Sequence, residues 1–482
     1  MFADRPDATG EPGFEPDPSR PKRDGLAKYP TPQRLPTVAP PRYAPAMPAA
    51  LIMAAGHGTR MRSDTPKVLH AVCGRPMLEW VVDAARGAGA DRVVAIVRPD
   101  SGVVENVGDG VEVAEQREGE GTASAVDAAR DLLASEETVL LLSGDHPLIT
   151  SELLTQLLRA HADQGADATM LTTDTLDPTA YGRIVRGKKG RVEEIIETKD
   201  ETKVSPEHLA IREINLGTYV FNGPALYETL AKVEPSDNGE RYLTAVFPLL
   251  DNVAAFHTDD ISSAAGINDR ADLMAIEEVA QARILEHHAR NGVTFRSPGT
   301  VLVDASVEIG EDTLIEAGVT LKGATRIGRG VTISNAVLVD TVVEDGATIG
   351  PFAYLRPGTV IGAGAKIGTF VETKNANIGA GAKVPHLSYL GDAEVGEEAN
   401  VAAGNITANY DGFNKSRTKI GKRAKTGVNN SFIAPVTVGD DAYTGAGSVI
   451  GEDVPEGALG ISRPEQKNVE GYAERAKQRK GS

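Results

Sequence analysis

Through the last third of the chain, aliphatic residues recur every six positions. Ile309, Ile315, Leu321, Ile327, Ile333 and Val339 form one run; Val343, Ile349, Leu355, Ile361 and Ile367 form a second; Ile420, Thr426, Phe432, Val438, Thr444 and Ile450 form a third. Glycine often follows, at Gly310, Gly328, Gly350, Gly362, Gly368 and Gly439. A period of six is not that of a helix, and it is longer than the simple alternation of a two-faced sheet. It suits a solenoid of short flat strands, with one aliphatic per strand pointing inward and a small residue at each corner.

The front of the chain has a different texture. Ala49–Ala54 reads as an apolar strand, Gly56–Arg60 as a glycine-rich loop, Met77–Arg86 as a helix and Arg92–Val97 as a strand. Ala123–Leu133 reads as a further helix, and Val139–Leu142 as a buried strand ending in Gly144–Asp145. This alternation predicts a Rossmann-like α/β domain, a parallel sheet with helices on both faces. Ligands in such sheets sit at the carboxyl ends of the strands, where Gly56–Arg60 and Gly144–Asp145 both fall. Asp269–Arg290 predicts a connecting helix, rich in Ala, Glu, Leu and Ile and free of proline. The expected plan is a disordered Pro-rich extension over 1–47, an α/β domain over 48–268, a connecting helix over 269–295, a solenoid over 296–464 and a polar tail over 465–482. The extension reads equally as an upstream stretch from a misassigned start, since Met47 directly precedes the first strand; the tail reads equally as a helix or a frayed end.

Composition adds limits. At 482 residues the chain is too long for one core. A formal charge of −18 disfavours general nucleic-acid binding, so no nucleic-acid partner is expected. Cys73 is the single cysteine, so no intrachain disulfide forms. No apolar run is long enough to span a bilayer, and no membrane partner is expected. The N-terminus lacks a signal-peptide core, and a cytoplasmic location is expected.

The first chemical segment is MAAGHGTRMRSDTPK, Met53 to Lys67. Gly56 and Gly58 let the backbone approach a phosphate, while Arg60 and Lys67 add positive charge. It is neither a Walker A loop nor the dinucleotide pattern GxGxxG. Alone, G-x-G is more often a turn with solvated cations, and an Asp after a strand, as Asp145, is more often a turn or cap. The whole string, a strand, then G-x-G-T-R-M, then P-K, resembles the signature of the sugar-1-phosphate nucleotidyltransferases. That resemblance implies in-line attack of a sugar phosphate on a nucleoside triphosphate with loss of pyrophosphate, helped by alignment and charge neutralisation rather than by a covalent nucleophile. It implies Arg60 and Lys67 as catalytic cations, and Asp145 with Asn268 as ligands of Mg²⁺. Gln116 five residues before Gly121–Thr122, then Gly182 in Tyr-Gly-Arg-Ile, Glu197 and Asn215, resemble the bacterial uridyltransferases that make UDP-N-acetylglucosamine. There Gln116, Gly121 and Thr122 would hold uracil, with Ala54, Gly56 and Lys67 completing the nucleotide site. Gly182, Glu197 and Asn215 would hold the sugar. Singly, these are a turn, a solvated charge and a cap. His57 faces phosphate or is a surface residue, and is left outside the catalytic set.

The sixes fail twice, over FVETKNA after Ile367 and over ANYDGFNKSRTK after Thr407. Loops inserted into a solenoid often carry the binding face. Between these breaks lies His386, with Lys374, Tyr389, Asn400, Asn409 and Tyr410 around it in sequence. A lone His is more often a surface residue than a catalyst. PHLSYLGD followed by NYDG, however, resembles the acetyltransferase half of the bifunctional N-acetylglucosamine-1-phosphate uridyltransferase/glucosamine-1-phosphate acetyltransferase family. By that resemblance the solenoid is a left-handed parallel β-helix of hexapeptide repeats, assembled as a homotrimer. His386 would take the proton of the glucosamine ammonium, a role suited to imidazole near neutral pH. Arg356, Lys374, Tyr389 and Asn400 would hold glucosamine 1-phosphate; Asn409, Tyr410, Ala446 and Arg463 would meet acetyl-CoA. Val428 stands where many relatives have Ser, which removes a hydroxyl contact there. The resemblance spans Ala49 to about Glu470. The implied function is acetyl transfer from acetyl-CoA to glucosamine 1-phosphate, then uridylyl transfer from UTP to N-acetylglucosamine 1-phosphate, in the cell-wall peptidoglycan pathway. Two alternatives stand beside it: a sugar nucleotidyltransferase whose β-helix only trimerises or binds a regulator, and an interaction subunit without catalysis.

Overall fold

The computed structural model describes residues 47–187, 190–198, 204–236 and 239–480. The extension expected over 1–47 lies outside these residues, Met47 excepted. The first part is built on strands β1 (Ala49–Met53), β2 (Arg92–Val97), β3 (Glu112–Glu115), β4 (Thr138–Ser143), β5 (Ala168–Thr173), β6 (Arg183–Arg186), β7 (Val192–Ile196), β8 (Ile214–Asn222) and β9 (Val253–His257). They make one sheet in the order β9-β5-β8-β4-β1-β2-β3, with the hairpin β6–β7 attached to β8. Alternate residues of the central strands feed two separate cores. Ala49, Leu51, Val94, Ile96, Val139 and Leu141 pack on one face; Ala50, Ile52, Val93, Ala95, Leu140 and Leu142 pack on the other. A strand buried on both faces must be apolar at nearly every position, which is why Ala49–Met53 and Val139–Leu142 read as unbroken runs.

Two sequence expectations change. The sheet is mixed rather than all parallel: β8 runs antiparallel to both β4 and β5. The chain leaves β5 at Thr173 and re-enters the sheet at Ile214, directly opposite, so β8 returns along its neighbour without a helical crossover. The helix expected over Ala123–Leu133 is two, Thr122–Asp127 and Arg130–Leu133, because the backbone tightens at Ala129, whose N–H reaches only back to the Val126 carbonyl at 3.1 Å. Here α1 is Met77–Gly87, α2 Thr122–Asp127, α3 Ser151–Gln164 and α4 Arg270–Arg290. Thr150 caps α3 through the Leu153 N–H, and α3 stops at Gly165 in the left-handed conformation. Asp269 caps α4 by accepting from the Ala271 and Asp272 N–H groups. Helix α4 serves both parts: Ile276 and Ala280 pack with Met61, Val72, Met77 and Leu148, while Leu285 joins the solenoid core.

From Thr294 the chain winds through three stacks of short parallel strands. Ile309 pairs with Ile327, eighteen positions on, so three sixes make one coil. The inward aliphatics are fully buried; each contributes about 1.5–3 kcal/mol relative to exposure. At one corner, Gly362, Gly379, Gly396 and Gly421 stack so closely that a Cβ on any of them would come within 2.7 Å of the next coil's backbone. The third run of sixes is buried throughout, Thr426 and Thr444 included. The first run breaks one residue before its expected end: Leu338, not Val339, is the buried partner of Leu321. The coil from Ile327 to Val343 is sixteen residues, because Asn335 and Asp340 turn their corners at φ 41° and 46°. Of the two expected breaks, the one after Ile367 is not an insertion but shortens its coil, Ile367 lying opposite Val384 seventeen positions on; only the later one lengthens a coil, Val395 pairing with Ile420 across 25 positions.

Candidate functional site

The ends of β1, β2 and β4 open onto a cavity of about 420 Å³ lined by Ala55–Arg60, Lys67, Arg98, Gln116, Gly121, Thr122, Ser143, Asp145, Tyr242 and Asn268. Gly58 sits at φ 59°, and a Cβ there would strike the Lys67 side chain at 2.7 Å. Gly56 faces open space with no atom within 4 Å of a built Cβ. One glycine thus lets the loop close onto Lys67, and the other leaves room for a ligand against bare backbone.

At the floor of the cavity, Lys67 is ion-paired with Asp145, and the Ser143 hydroxyl donates to the same carboxylate at 2.6 Å. Burial pushes Asp145 upward, but His146, Lys67 and Ser143 outweigh it and hold the carboxyl below its ordinary range. Arg60 donates to the Asn268 side-chain oxygen at 2.9 Å. Asn268 reaches the site because the Ile267 N–H donates to the Asp145 carbonyl at 3.0 Å, pinning two segments more than a hundred residues apart. The donor set fits a hard divalent cation: a carboxylate and an amide oxygen line one cavity, and in this structure each is matched by a cationic side chain.

Above this floor, Gln116 is buried and donates to the Gly119 carbonyl at 3.1 Å. Gly121 takes φ 94°, and a Cβ there would lie 2.4 Å from the Arg241 carbonyl oxygen, so the turn into α2 accepts only glycine. The Thr122 hydroxyl accepts from the Leu243 N–H at 2.8 Å. Outside the cavity lining, the Asn215 N–H donates to the Gly182 carbonyl at 2.9 Å, and its side-chain amide donates to the Tyr219 hydroxyl at 2.6 Å. Glu197 is exposed, one residue beyond β7, and Ala54 is buried. Arg98, Ser143, His146 and Tyr242 were not singled out from sequence; each belongs to the site through a neighbour in space.

On the solenoid, a polar cluster forms at the carboxyl ends of one strand stack. Buried Asp392 accepts from Asn375 at 2.6 Å and from Asn409 at 2.5 Å. Burial raises its carboxyl, but Asn375, Asn409, Lys415 and Lys374 together hold it low. Lys374 is held below its usual range by Lys415 and Arg356, so three cations converge. Arg356 donates to Glu372 at 2.9 Å and lies 5.9 Å from the Tyr354 ring centre. Tyr389 pairs with Glu372 in the same stack. Lys415, in the one insertion of the solenoid, was missed as a candidate; its segment was marked only as a break in the sixes. His386 and Asn400 stand in the adjoining stack, where His386 pairs with Thr369 and Asn400 bridges Lys383. His386 is exposed, and among the described residues its ring makes no hydrogen bond. Farther along, the Tyr410 hydroxyl donates to the Gly412 carbonyl at 2.6 Å, and Arg463 donates to the Ala446 carbonyl at 2.8 Å. Val428 is partly exposed on the surface, and its carbonyl accepts from the Gly447 N–H.

No described helix is long and apolar enough to cross a membrane. Comparison with known proteins is consistent along nearly the whole length. The nucleotidyl transferase family profile matches residues 49–260, and the bacterial transferase hexapeptide profile of six repeats matches residues 340–375. The chain is 44% identical to the bifunctional protein GlmU of Mycolicibacterium vanbaalenii over 460 residues, covering 89% of this chain and 93% of that one. It is 45% identical to the bifunctional protein GlmU of Kineococcus radiotolerans over 458 residues, covering 89% and 92%. It is 42% identical to that of Shouchella clausii over 450 residues, covering 88% and 98%. With the α/β cavity at one end and the hexapeptide solenoid at the other, the chain belongs to the family of bifunctional GlmU proteins.

Proposed function

We propose that the two regions divide two successive reactions, with uridylyl transfer in the cavity over 48–268 and acetyl transfer on the solenoid over 296–464, joined by the connecting segment 269–295. The enzyme is a UDP-N-acetylglucosamine diphosphorylase and glucosamine-1-phosphate N-acetyltransferase. The observation that carries the first half is the pairing of Arg60 and Lys67 with Asn268 and Asp145 around the open space at Gly56. Gln116, Gly121 and Thr122 take the uracil, with Ala54 and Gly56 beside it; Gly182, Glu197 and Asn215 take the sugar. An oxygen of N-acetylglucosamine 1-phosphate attacks the α-phosphorus of UTP in line, and the bond to pyrophosphate breaks. Arg60 and Lys67 neutralise charge that builds on the phosphate oxygens. Asp145 and Asn268 would hold Mg²⁺, which when bound supplies further charge neutralisation for the phosphates.

On the solenoid, Arg356, Lys374 and Lys415 take the phosphate of glucosamine 1-phosphate, while Tyr389 and Asn400 hold its sugar. His386 accepts a proton from the ammonium. The freed amine attacks the thioester carbonyl of acetyl-CoA, the carbon–sulfur bond breaks, and the coenzyme A thiolate takes up a proton. Asn409, Tyr410, Ala446 and Arg463 meet the coenzyme. The exposure of His386 supports a homotrimer in which a neighbouring copy covers this face. The reaction belongs in the cytoplasm, where both co-substrates are made, and its product feeds peptidoglycan synthesis. The test is incubation with acetyl-CoA, glucosamine 1-phosphate, UTP and Mg²⁺, followed by mass analysis. UDP-N-acetylglucosamine is expected; acetylated sugar alone, or UDP-sugar only from pre-acetylated substrate, removes one half of the reading.

A further inference from the structure

Arg98 directly follows β2 and joins two loops that sequence separates widely. Its Nε donates to the Ala55 carbonyl of the glycine-rich loop at 2.8 Å. Its Nη1 and Nη2 donate to both carboxylate oxygens of Glu120, at 3.4 and 2.8 Å. Glu120 lies between Gly119 and Gly121, both in left-handed conformations, in the loop that also holds Gln116. The Glu120 carbonyl accepts from the Arg241 N–H at 2.9 Å, which fixes that loop from behind. The Arg98 contact holds the Glu120 carboxyl below its ordinary range, with His57 of the glycine-rich loop adding to the effect. One guanidinium thus bridges the loop that meets phosphate and the loop that meets the base, and both line the same cavity.

We propose that Arg98 and Glu120 form a clasp that sets the separation of these two loops and so positions the nucleotide substrate; the inference rests on the reading of Gln116–Thr122 as the base site. Arg98 is a positioning residue. A planar fork is needed, because three donors must reach a carbonyl and a carboxylate at once, and a lysine has no such geometry. Glu120 is about half exposed, so the pair adds little to overall stability, and its value lies in fixing geometry.

The experiment uses the full-length protein with Mg²⁺ and compares Arg98→Met, Arg98→Lys, Glu120→Gln and the Arg98→Met/Glu120→Gln double variant. The KM for UTP and for N-acetylglucosamine 1-phosphate are measured, with acetyl transfer as an internal control of folding. The clasp predicts that every single variant raises the KM for UTP about tenfold, that the KM for the sugar phosphate moves less than twofold, and that the double variant is no worse than either single. The sign for Glu120→Gln is decisive. If Arg98 merely supplied charge to the triphosphate, removing the nearby carboxylate would lower the KM for UTP and Arg98→Lys would stay near wild type; either result overturns the clasp. A Gln116→Ala control separates the two levels: if it raises the KM for UTP while the Arg98 and Glu120 variants do not, the clasp alone fails. If neither does, the base-site reading fails with it.

Discussion

The two regions gather chemistry in opposite ways. In the sheet domain, strands that run together bring their following loops to one edge, so Gly56, Gln116, Asp145 and Asn268 meet in a cavity inside a single chain. In the solenoid, neighbours in space are related by translation, one coil apart. Glu372 lies over Tyr354 and beneath Tyr389, and each presents its side chain outward. Such a lattice builds long faces rather than enclosures, so a side chain such as His386, the proposed base, stays exposed unless another surface covers it. The first site is gathered within one chain by topology; the second, on the homotrimer proposed above, is completed by a neighbouring copy.

The largest test exchanges the two. His386→Ala should lower acetyl transfer by about 10²–10⁴-fold, the range for losing a general base, and leave uridylyl transfer intact. Asp145→Ala should do the reverse, as should removal of divalent metal with a chelator, read by assaying each half-reaction on its own. Loss of both activities in either variant would show that the regions do not act separately. The proposed trimer offers a second handle: if dilution dissociates it, acetyl transfer should fall while uridylyl transfer per chain stays constant.

Next in size is the solenoid register. Leu338→Ala should cost about 2–5 kcal/mol of stability, because it empties a position buried between Leu321 and Leu355. Val339→Ala, one residue on and partly exposed, should cost less than 0.5 kcal/mol, roughly the range of surface substitutions. Denaturant melts of the two variants decide it. Equal losses would mean that the shortened coil is wrongly registered.

These same residues mark what the sequence made legible. Where coils are eighteen residues, as from Ile309 to Ile327, the period alone identifies the inward column. Between Ile327 and Val343 the corners turn on Asn335 and Asp340, which accept positive φ without being glycine, so nothing in the residue types announces the lost positions. The same limit governs the sites. Gly56 to Lys67 was legible because its chemistry lies on one continuous stretch. Asn268 came through family resemblance. Arg98 was invisible, since a single Arg after a strand gains its meaning only from Ala55 and Glu120 beside it. The all-parallel expectation failed for a related reason: β8 is as apolar as its neighbours, and direction leaves no trace in composition.

The smallest expected effect tests whether the open face binds a phosphate, as proposed. Lys374 is held low by Lys415 and Arg356, so in the free protein these cations repel one another, and a dianionic phosphate arriving among them relieves that repulsion. Lys415→Ala removes one of the three. It should raise the KM for glucosamine 1-phosphate about tenfold, with little change in the KM for acetyl-CoA, because a solvent-screened charge contributes of order one kcal/mol. The loss should shrink as salt is raised, in contrast to Lys67→Ala in the sheet-domain cavity, where Lys67 and Asp145 are mostly shielded from solvent and salt has less access. If the penalty of Lys415→Ala held constant from low to high salt, the solenoid site would have to be as enclosed as the cavity, and the contrast between an open face and a closed pocket would not survive.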